Sequence, residues 1–414
     1  MRRLLLPAAL FGLAASGLAA DKPAPAITWQ KTVLDSTFRS EGVAVADVNK
    51  DGKTDVLVGE FWYEAPDWKR HEMQPPGNYG TGEKGYSKVF ACWAEDLNAD
   101  GYPDLIVIDF PGAPCYWLEN PKGGSGHWKK HVIWHSACNE TPIYVDLFGT
   151  GKRALVMGFQ PKGKPANGND GQMAYFTPNP ADPTAEWVMH PISAPSEPGK
   201  PVPGTFMFAH GLGAGDVNGD GRVDVVTSGA ATGGQAGWWE QPAKPDGKTP
   251  WAFHPFQFGD AVADMFVVDI DADGKNDILC TSAHKFGVWM LKQRADKKTA
   301  HPVFDKVELF GRLASETHAA HFVDIDGDGL KDLVTGKRWW SHGRSEPGSA
   351  WEARVYYLKA VKERDGYINF VPHVIDPDSG VGTQFVVADI NGDGLPDVVT
   401  SNKKGVHVIV QQRK

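Results

Sequence analysis

The chain has 414 residues, among them 47 Gly, 30 Pro and 15 Trp, and that punctuation argues against long helices and for many short strands. Its formal charge of -9 comes with no basic stripe interleaved with aromatics, which excludes nucleic acid as an expected partner. Four Cys are too few to staple a fold of this size; Cys115 and Cys138 fall near the same end of neighbouring repeats and could pair, while Cys92 and Cys280 read as buried thiols.

In chain order, residues 1–20 come first: Arg2 and Arg3, an apolar stretch from Leu4 to Leu18, then small residues, the layout of a secretory signal peptide. That predicts an exported protein, periplasmic or extracellular, with residues 21–414 forming a single domain. No later segment is apolar for long enough to span a bilayer. A strand, WQKTVL, is predicted from Trp29. After it one nine-residue phrase returns: DVNKDGKTD from Asp47, DLNADGYPD from Asp96, DVNGDGRVD from Asp216, DIDADGKND from Asp269, DIDGDGLKD from Asp324 and DINGDGLPD from Asp389. A seventh, DLFGTGKRA from Asp146, keeps the first Asp and the sixth-position Gly but loses the other carboxylates.

Apolar segments flank each phrase, so the phrase reads as the turn between two inner strands. A Trp-rich third strand is expected at Phe61, Tyr116, Gly237, Val288 and Arg338. A fourth carries W-x-x-H at Trp68, Trp128, Trp187 and Trp251, with looser versions from Phe304 and Phe370. The histidines of that fourth strand recur at one position in different repeats and are read as scaffold. Four strands per repeat predict an all-β, seven-bladed β-propeller with four-stranded blades. The last repeat stops after three strands, so the N-terminal strand is expected to complete the last blade and close the ring.

The phrase D-x-[DN]-x-D-G-x-x-D between short apolar strands resembles the FG-GAP/VCBS propeller repeat, over the whole mature chain. A hard cation takes six to eight oxygens, which a tight loop can supply from side chains at positions 1, 3, 5 and 9. The expected calcium ligands are therefore Asp47, Asn49, Asp51 and Asp55; Asp96, Asn98, Asp100 and Asp104; Asp216, Asn218, Asp220 and Asp224; Asp269, Asp271, Asp273 and Asp277; Asp324, Asp326, Asp328 and Asp332; and Asp389, Asn391, Asp393 and Asp397. About six structural calcium ions follow. The phrase is not an EF-hand, because position 12 of the first copy is Val58 and strands flank it.

The first strand of each repeat runs towards its loop and the second runs back, so residues about six before the first Asp, or five to seven after the last, lie at the opposite mouth of the channel. Counting back reaches Glu41, Glu140, His210 and His318, with Asp264 and Gln384 one step nearer the loop; counting forward reaches Glu60, Asp109, His284, Lys337, Arg338 and Lys403. His210 and His318 occupy equivalent positions in two repeats. With Glu140 and Asp264 they are expected to form a second metal site of mixed N/O character. His210, His318, Lys337, Arg338 and His284 are the candidate catalytic residues; Glu41, Glu60, Trp93, Asp109 and Gln384 are the candidate substrate contacts.

The run HGLGAGDVNGDGRVD from His210, followed by GWWEQP from Gly237, resembles the propeller domain of fungal aldos-2-ulose dehydratases. That resemblance implies a carbohydrate-active lyase or dehydratase, removing an α-proton from a keto-sugar with metal assistance and eliminating a hydroxyl. The cupin domains of that family have no counterpart here. The alternative is a non-catalytic, calcium-stabilised propeller that binds a glycan or a protein. The Gly/Pro-rich segments from Gln160 and Ser193 suit lids or recognition loops equally.

Overall fold

The computed structural model describes residues 26–228, 235–295, 299, 301–364 and 366–414. The expected signal segment, residues 1–20, lies outside them. Among the described residues every regular element is a strand, and no helix is long and apolar enough to cross a membrane.

The first strand is β1 (Ile27–Asp35). Five sheets follow the four-strand repeat. One holds β2 (Ala44–Ala46), β3 (Asp55–Leu57), β4 (Phe61–Glu64) and β5 (Lys69–Glu72), and the next β6 (Ala91–Glu95), β7 (Asp104–Ile108), β8 (Cys115–Glu119) and β9 (Lys129–Trp134). A third comprises β10 (Ile143–Val145), β11 (Ala154–Phe159), β12 (Gln172–Thr177) and β13 (Val188–Pro191).

Next along the chain come β14 (Leu212–Gly215), β15 (Asp224–Ser228), β16 (Ala236–Glu240), β17 (Ala252–Phe256), β18 (Val262–Val268), β19 (Asp277–Ser282), β20 (Phe286–Arg294) and β21 (Val303–Ser315). They make one eight-stranded sheet. Then β22 (Ala320–Val323), β23 (Asp332–Gly336), β24 (Val355–Lys362) and β25 (Ile368–Asp376) form a fourth four-stranded sheet. The fifth joins β26 (Val386–Ala388), β27 (Asp397–Asn402) and β28 (Gly405–Arg413) to β1, which pairs antiparallel with β28 from Ile27 opposite Arg413 to Asp35 opposite Val406.

The molecule is thus an all-β propeller arrangement, but not one of seven separate sheets: five blades stand alone, and the repeats at Asp216 and Asp269 are fused. Parallel pairing of β14 with β18 joins them, Leu212 opposite Asp264 through Ala214 opposite Phe266. The cause is local. A Cβ on Gly213 would lie 2.0 Å from the Met265 carbonyl oxygen, and one on Gly215 would lie 2.6 Å from Val267 Cβ, so these glycines let two inner strands approach to pairing distance. A second departure concerns RWWSHG at Arg338. It is not a strand: β24 begins at Val355, and the Trp-rich run belongs to the long connection before it.

The second strand of each repeat is buried from end to end, apolar throughout in ALVMGF of β11 and led by the ninth-position Asp in the other six. The core lies between neighbouring sheets. Leu57 and Trp62 of one repeat pack with Cys92, Leu105, Leu118 and Trp128 of the next. All four Cys are free and buried, so the Cys115–Cys138 bond is not formed. The fourth-strand histidines stack on the third strand's aromatic residue: His71 on Trp62 at 4.2 Å, His131 on Trp117 at 4.4 Å, His190 on Tyr175 at 4.6 Å and His373 on Tyr357 at 4.8 Å.

Candidate functional site: loops at one face, a buried charged cluster at the other

The six acidic turns share one construction. In the first, Asp47 accepts the N–H groups of Asp51 and Gly52, Asn49 accepts that of Asp51, and Asp51 accepts that of Lys53. Gly52, at φ +85°, supplies the left-handed residue that the turn requires. Asp55 is fully buried and accepts the N–H of Val48 and of Ala65, so it ties its own turn to the third strand. Burial pushes the Asp55 carboxyl up to about 6 and those of Asp104 and Asp224 to about 7.

The turn at Asp146 makes the same first-position hydrogen bonds, from Thr150 and Gly151, without the other carboxylates. The first Asp is therefore a turn former whatever else it does. What the six add is a set of hard oxygens, chemistry that suits calcium. Three carboxylates converge in two of the turns: Asp269, Asp271 and Asp273, and Asp324, Asp326 and Asp332. A polar side chain at the end of the third strand or one residue past it stitches neighbouring repeats. Asn120, Gln241, Gln293 and Gln411 donate side-chain N–H to the carbonyls of Val48, Leu147, Val217 and Ile325 in the preceding turn.

At the opposite face, side chains from separate blades meet. The Nε2 atoms of His210 and His318 are 2.9 Å apart, and Glu140 Oε2 lies 3.4 and 3.3 Å from them. Each residue just precedes the first strand of its repeat, which is why equal strand lengths bring them level. Arg338 donates to Glu140 at 3.1 Å and to Glu41 at 2.5 Å. Lys403 lies 3.9 Å from Glu41 and donates to the Trp340 carbonyl; Lys337 pairs with Glu316, which also accepts the Ser341 N–H. His284 places its ring 4.7 Å from that of His210 and 4.7 Å from that of His342, whose Nδ1 is 2.6 Å from Glu346.

Glu140, His210, His318 and Arg338 are each at most 3% exposed. Burial, then the Arg338 charge, brings His318 down to about 3, and burial brings His284 to about 2, so these imidazoles are neutral at ordinary pH. Burial alone would raise the Glu140 carboxyl, but its histidine and Arg338 neighbours hold it well below the usual range. Burial and Arg338 lower Lys403 to about 8. A neutral imidazole at His318 beside an ionised Glu140 carboxylate gives the protonation states that metal ligation needs from these two groups. Among the described residues, His210 Nδ1, His318 Nδ1, His284 Nδ1, Glu41 Oε2 and Arg338 Nε are buried without a hydrogen-bond partner.

Two connections cover the cluster. Tyr86 donates to the Ser341 carbonyl at 2.8 Å, and Arg344 pairs with Glu83 at 3.0 Å. Strained backbone gathers here: Phe208 (φ +67°), Glu316 (+55°) and Trp340 (+56°) each stand two residues from His210, His318 or Arg338.

The remaining candidates separate. Asp264 does not join the histidines; it accepts the Ala320 N–H and, with Trp93, His321 and Gln384, lines an axial cavity of about 330 Å³ below the cluster. Burial pushes Asp264 up to about 7. Gln384 accepts the Val43 N–H at 2.9 Å, and Trp93 packs on Tyr144. Glu60 accepts the Tyr79 hydroxyl and Asp109 the Phe110 N–H; no hydrogen bond or ion pair among the described residues joins either to Glu140. Glu346, His342 and Tyr86 were not reached by register counting because they sit in the long connections before β24 and β6, and Glu316 because it stands two residues before the counted position at His318. The one signal for Glu316 was chemical: adjacent Lys337 and Arg338 at a buried position require more than one anion.

Family models match part of the chain: an FG-GAP-like repeat over residues 216–280 and 269–335, and an FG-GAP repeat over 381–408. These matches support FG-GAP-type repeats over the residues they cover. The aldos-2-ulose dehydratase resemblance receives no support from them. No curated protein matches the chain. Similar solved structures include two crystals of BBS1N in complex with ARL6DN, one soaked with lead and one with mercury. Each is 12% identical with a TM-score of 0.47, the match covering 94% and 93% of this chain and 97% of each of those.

Proposed function

We propose that this is an exported seven-bladed propeller, its eight-stranded sheet being two blades fused at their inner strands and its ring closed by β1, that works as a carbohydrate-active lyase at the buried mouth. One observation carries the reading: ligand atoms of Glu140, His210 and His318, from three repeats, lie within 3.4 Å of one another. A divalent metal held there by two imidazoles and a carboxylate would polarise the carbonyl oxygen of a keto-sugar.

The protein's own groups supply the rest. His284 is neutral and would accept the α-proton, and Glu346, 3.8 Å from its Nδ1, is the carboxylate that would take that proton on. Arg338 and Lys337 hold hydroxyl or enolate oxygens. Lys403, at about 8, donates a proton to the departing hydroxyl, so that a C–H and a C–O bond break, a C=C bond forms and water leaves. Calcium in the acidic turns is structural in this reading.

A second reading has its own observation. Three carboxylates (Glu41, Glu140, Glu316) face three cations (Lys337, Arg338, Lys403), a balanced buried network that suits a non-catalytic propeller presenting its loops to a glycan or protein. Elemental analysis together with keto-sugar dehydration separates the two. The lyase reading expects one zinc- or manganese-class ion per chain, lost together with turnover in the His210→Ala/His318→Ala variant while the thermal midpoint stays within a few degrees. A chain with no such ion and no turnover leaves the binding propeller.

A further inference from the structure

The six acidic turns are not equivalent, and the difference is written at two matched positions. Where the third loop position is Asp, in the turns from Asp269 and Asp324, the residue one before the stitching position of the third strand is a lysine, Lys292 or Lys359. Where it is Asn, in the turns from Asp47, Asp96, Asp216 and Asp389, the matched residue is Glu64, Glu119, Glu240 or Val410, never a cation. The register is secure, because the following residue in all six donates its N–H to the ninth-position Asp: Ala65, Asn120, Gln241, Gln293, Ala360 and Gln411.

The contacts follow the exchange. Lys292 Nζ sits on Asp271, and Lys359 Nζ sits on Asp326 and, at 2.6 Å, on Asp328. In the Asn turns the third-position amide is itself a donor: Asn98, Asn218 and Asn391 donate to the fifth-position Asp of their own turn at 3.3, 2.9 and 3.0 Å, and Asn49 and Asn218 reach Glu64 and Glu240 at 3.0 and 3.4 Å. Arg222 also reaches Asp220, but it shares its charge with Glu240 at 3.7 Å.

On the reading of these turns as calcium sites, on which this inference rests, we propose that only the four Asn turns take calcium, and that the turns from Asp269 and Asp324 are latched by a resident ammonium. Each lysine occupies an oxygen at loop position 3, and Lys359 one at position 5 as well, that a calcium ion would need, and its positive charge repels a second cation at the same place. These two turns lie on consecutive repeats, the second of them fused to neither neighbour, so one arc of the loop face keeps its geometry when calcium is scarce.

The test is equilibrium dialysis of the full chain against calcium chloride, with bound calcium counted by elemental analysis and unfolding midpoints measured in calcium and in chelator. Four ions per chain are expected, rising to five in Lys292→Gln or Lys359→Gln and six in the double variant. Asp271 Oδ1, buried without a hydrogen-bond partner among the described residues, is the oxygen that the freed turn would offer. The reverse transplant, Asn49→Asp/Glu64→Lys, should bring the count to three. The lysine variants should lose midpoint in chelator and regain it in calcium. Six ions in the unaltered chain, or a count indifferent to the lysines, overturns the latch. No bound calcium anywhere overturns the calcium reading itself; in that case the latch stands only if the lysine variants still lower the midpoint in chelator.

Discussion

The two faces of this propeller are both crowded with charge, yet they are built in opposite ways. At the loop face each cluster is local: four oxygen-bearing side chains within nine residues, the first three held by backbone N–H groups of the same turn and reached by water, the ninth-position Asp buried beneath them. At the mouth no two neighbours in space are neighbours in sequence, except Lys337 and Arg338; Glu41, Glu140, His210 and His318 come from separate repeats and are sealed from solvent. A local exposed cluster costs little to assemble and little to lose. A non-local buried one must be complete, because any charge left without its partner is stranded in a medium that solvates it poorly.

The sharpest way to test that contrast is to remove the cation at the centre of the mouth. Arg338→Met keeps much of the side-chain volume but strands Glu41 and Glu140, and is expected to cost about 3–5 kcal/mol in urea unfolding. A loss under 1 kcal/mol, roughly the value of an exposed pair, would mean that water reaches this face and that the contrast is mistaken.

A smaller effect isolates burial from location. His407, on β28 between the two faces, is 4% exposed, and burial brings its imidazole down to about 4. Its folded pKa lies below the unfolded value, so the unfolded chain binds more protons between about pH 6.5 and 4. Stability should therefore fall as the pH drops through that window, by about 3 kcal/mol for this residue, and His407→Gln should flatten that part of the pH–stability curve. An unchanged curve would remove burial of this imidazole as the cause.

The smallest effect belongs to the loop face. Lys53→Gln breaks the exposed 3.2 Å pair with Asp51 and should change stability by less than about 0.5 kcal/mol. A larger loss would show that the exposed turns are electrostatically as demanding as the mouth.

What could be read in advance follows the same divide. The acidic turns were legible because their chemistry is contiguous. His210, His318 and Glu140 were legible for a less direct reason: strands of equal length carry residues at equal offsets to the same height, so counting from each turn placed them together. Asp264, one residue out of step, points into the axial cavity instead, since alternate residues of a strand face opposite ways. RWWSHG misled because Trp-rich runs mark third strands elsewhere, and nothing in its composition distinguishes a covering loop.

By itself, then, the sequence determined the all-β repeat, the six acidic turns, the pairing partner of the N-terminal strand and the level at which the mouth residues stand. All of these depend on short-range pattern and strand length. Only the tertiary structure decided that two repeats share a sheet, that Glu316 and the Tyr86 and Ser341 connections close over the cluster, and that Lys292 and Lys359 reach the carboxylates of their turns. Those outcomes depend on how closely backbones approach and where long side chains end, which are properties of packing across the chain and carry no local period.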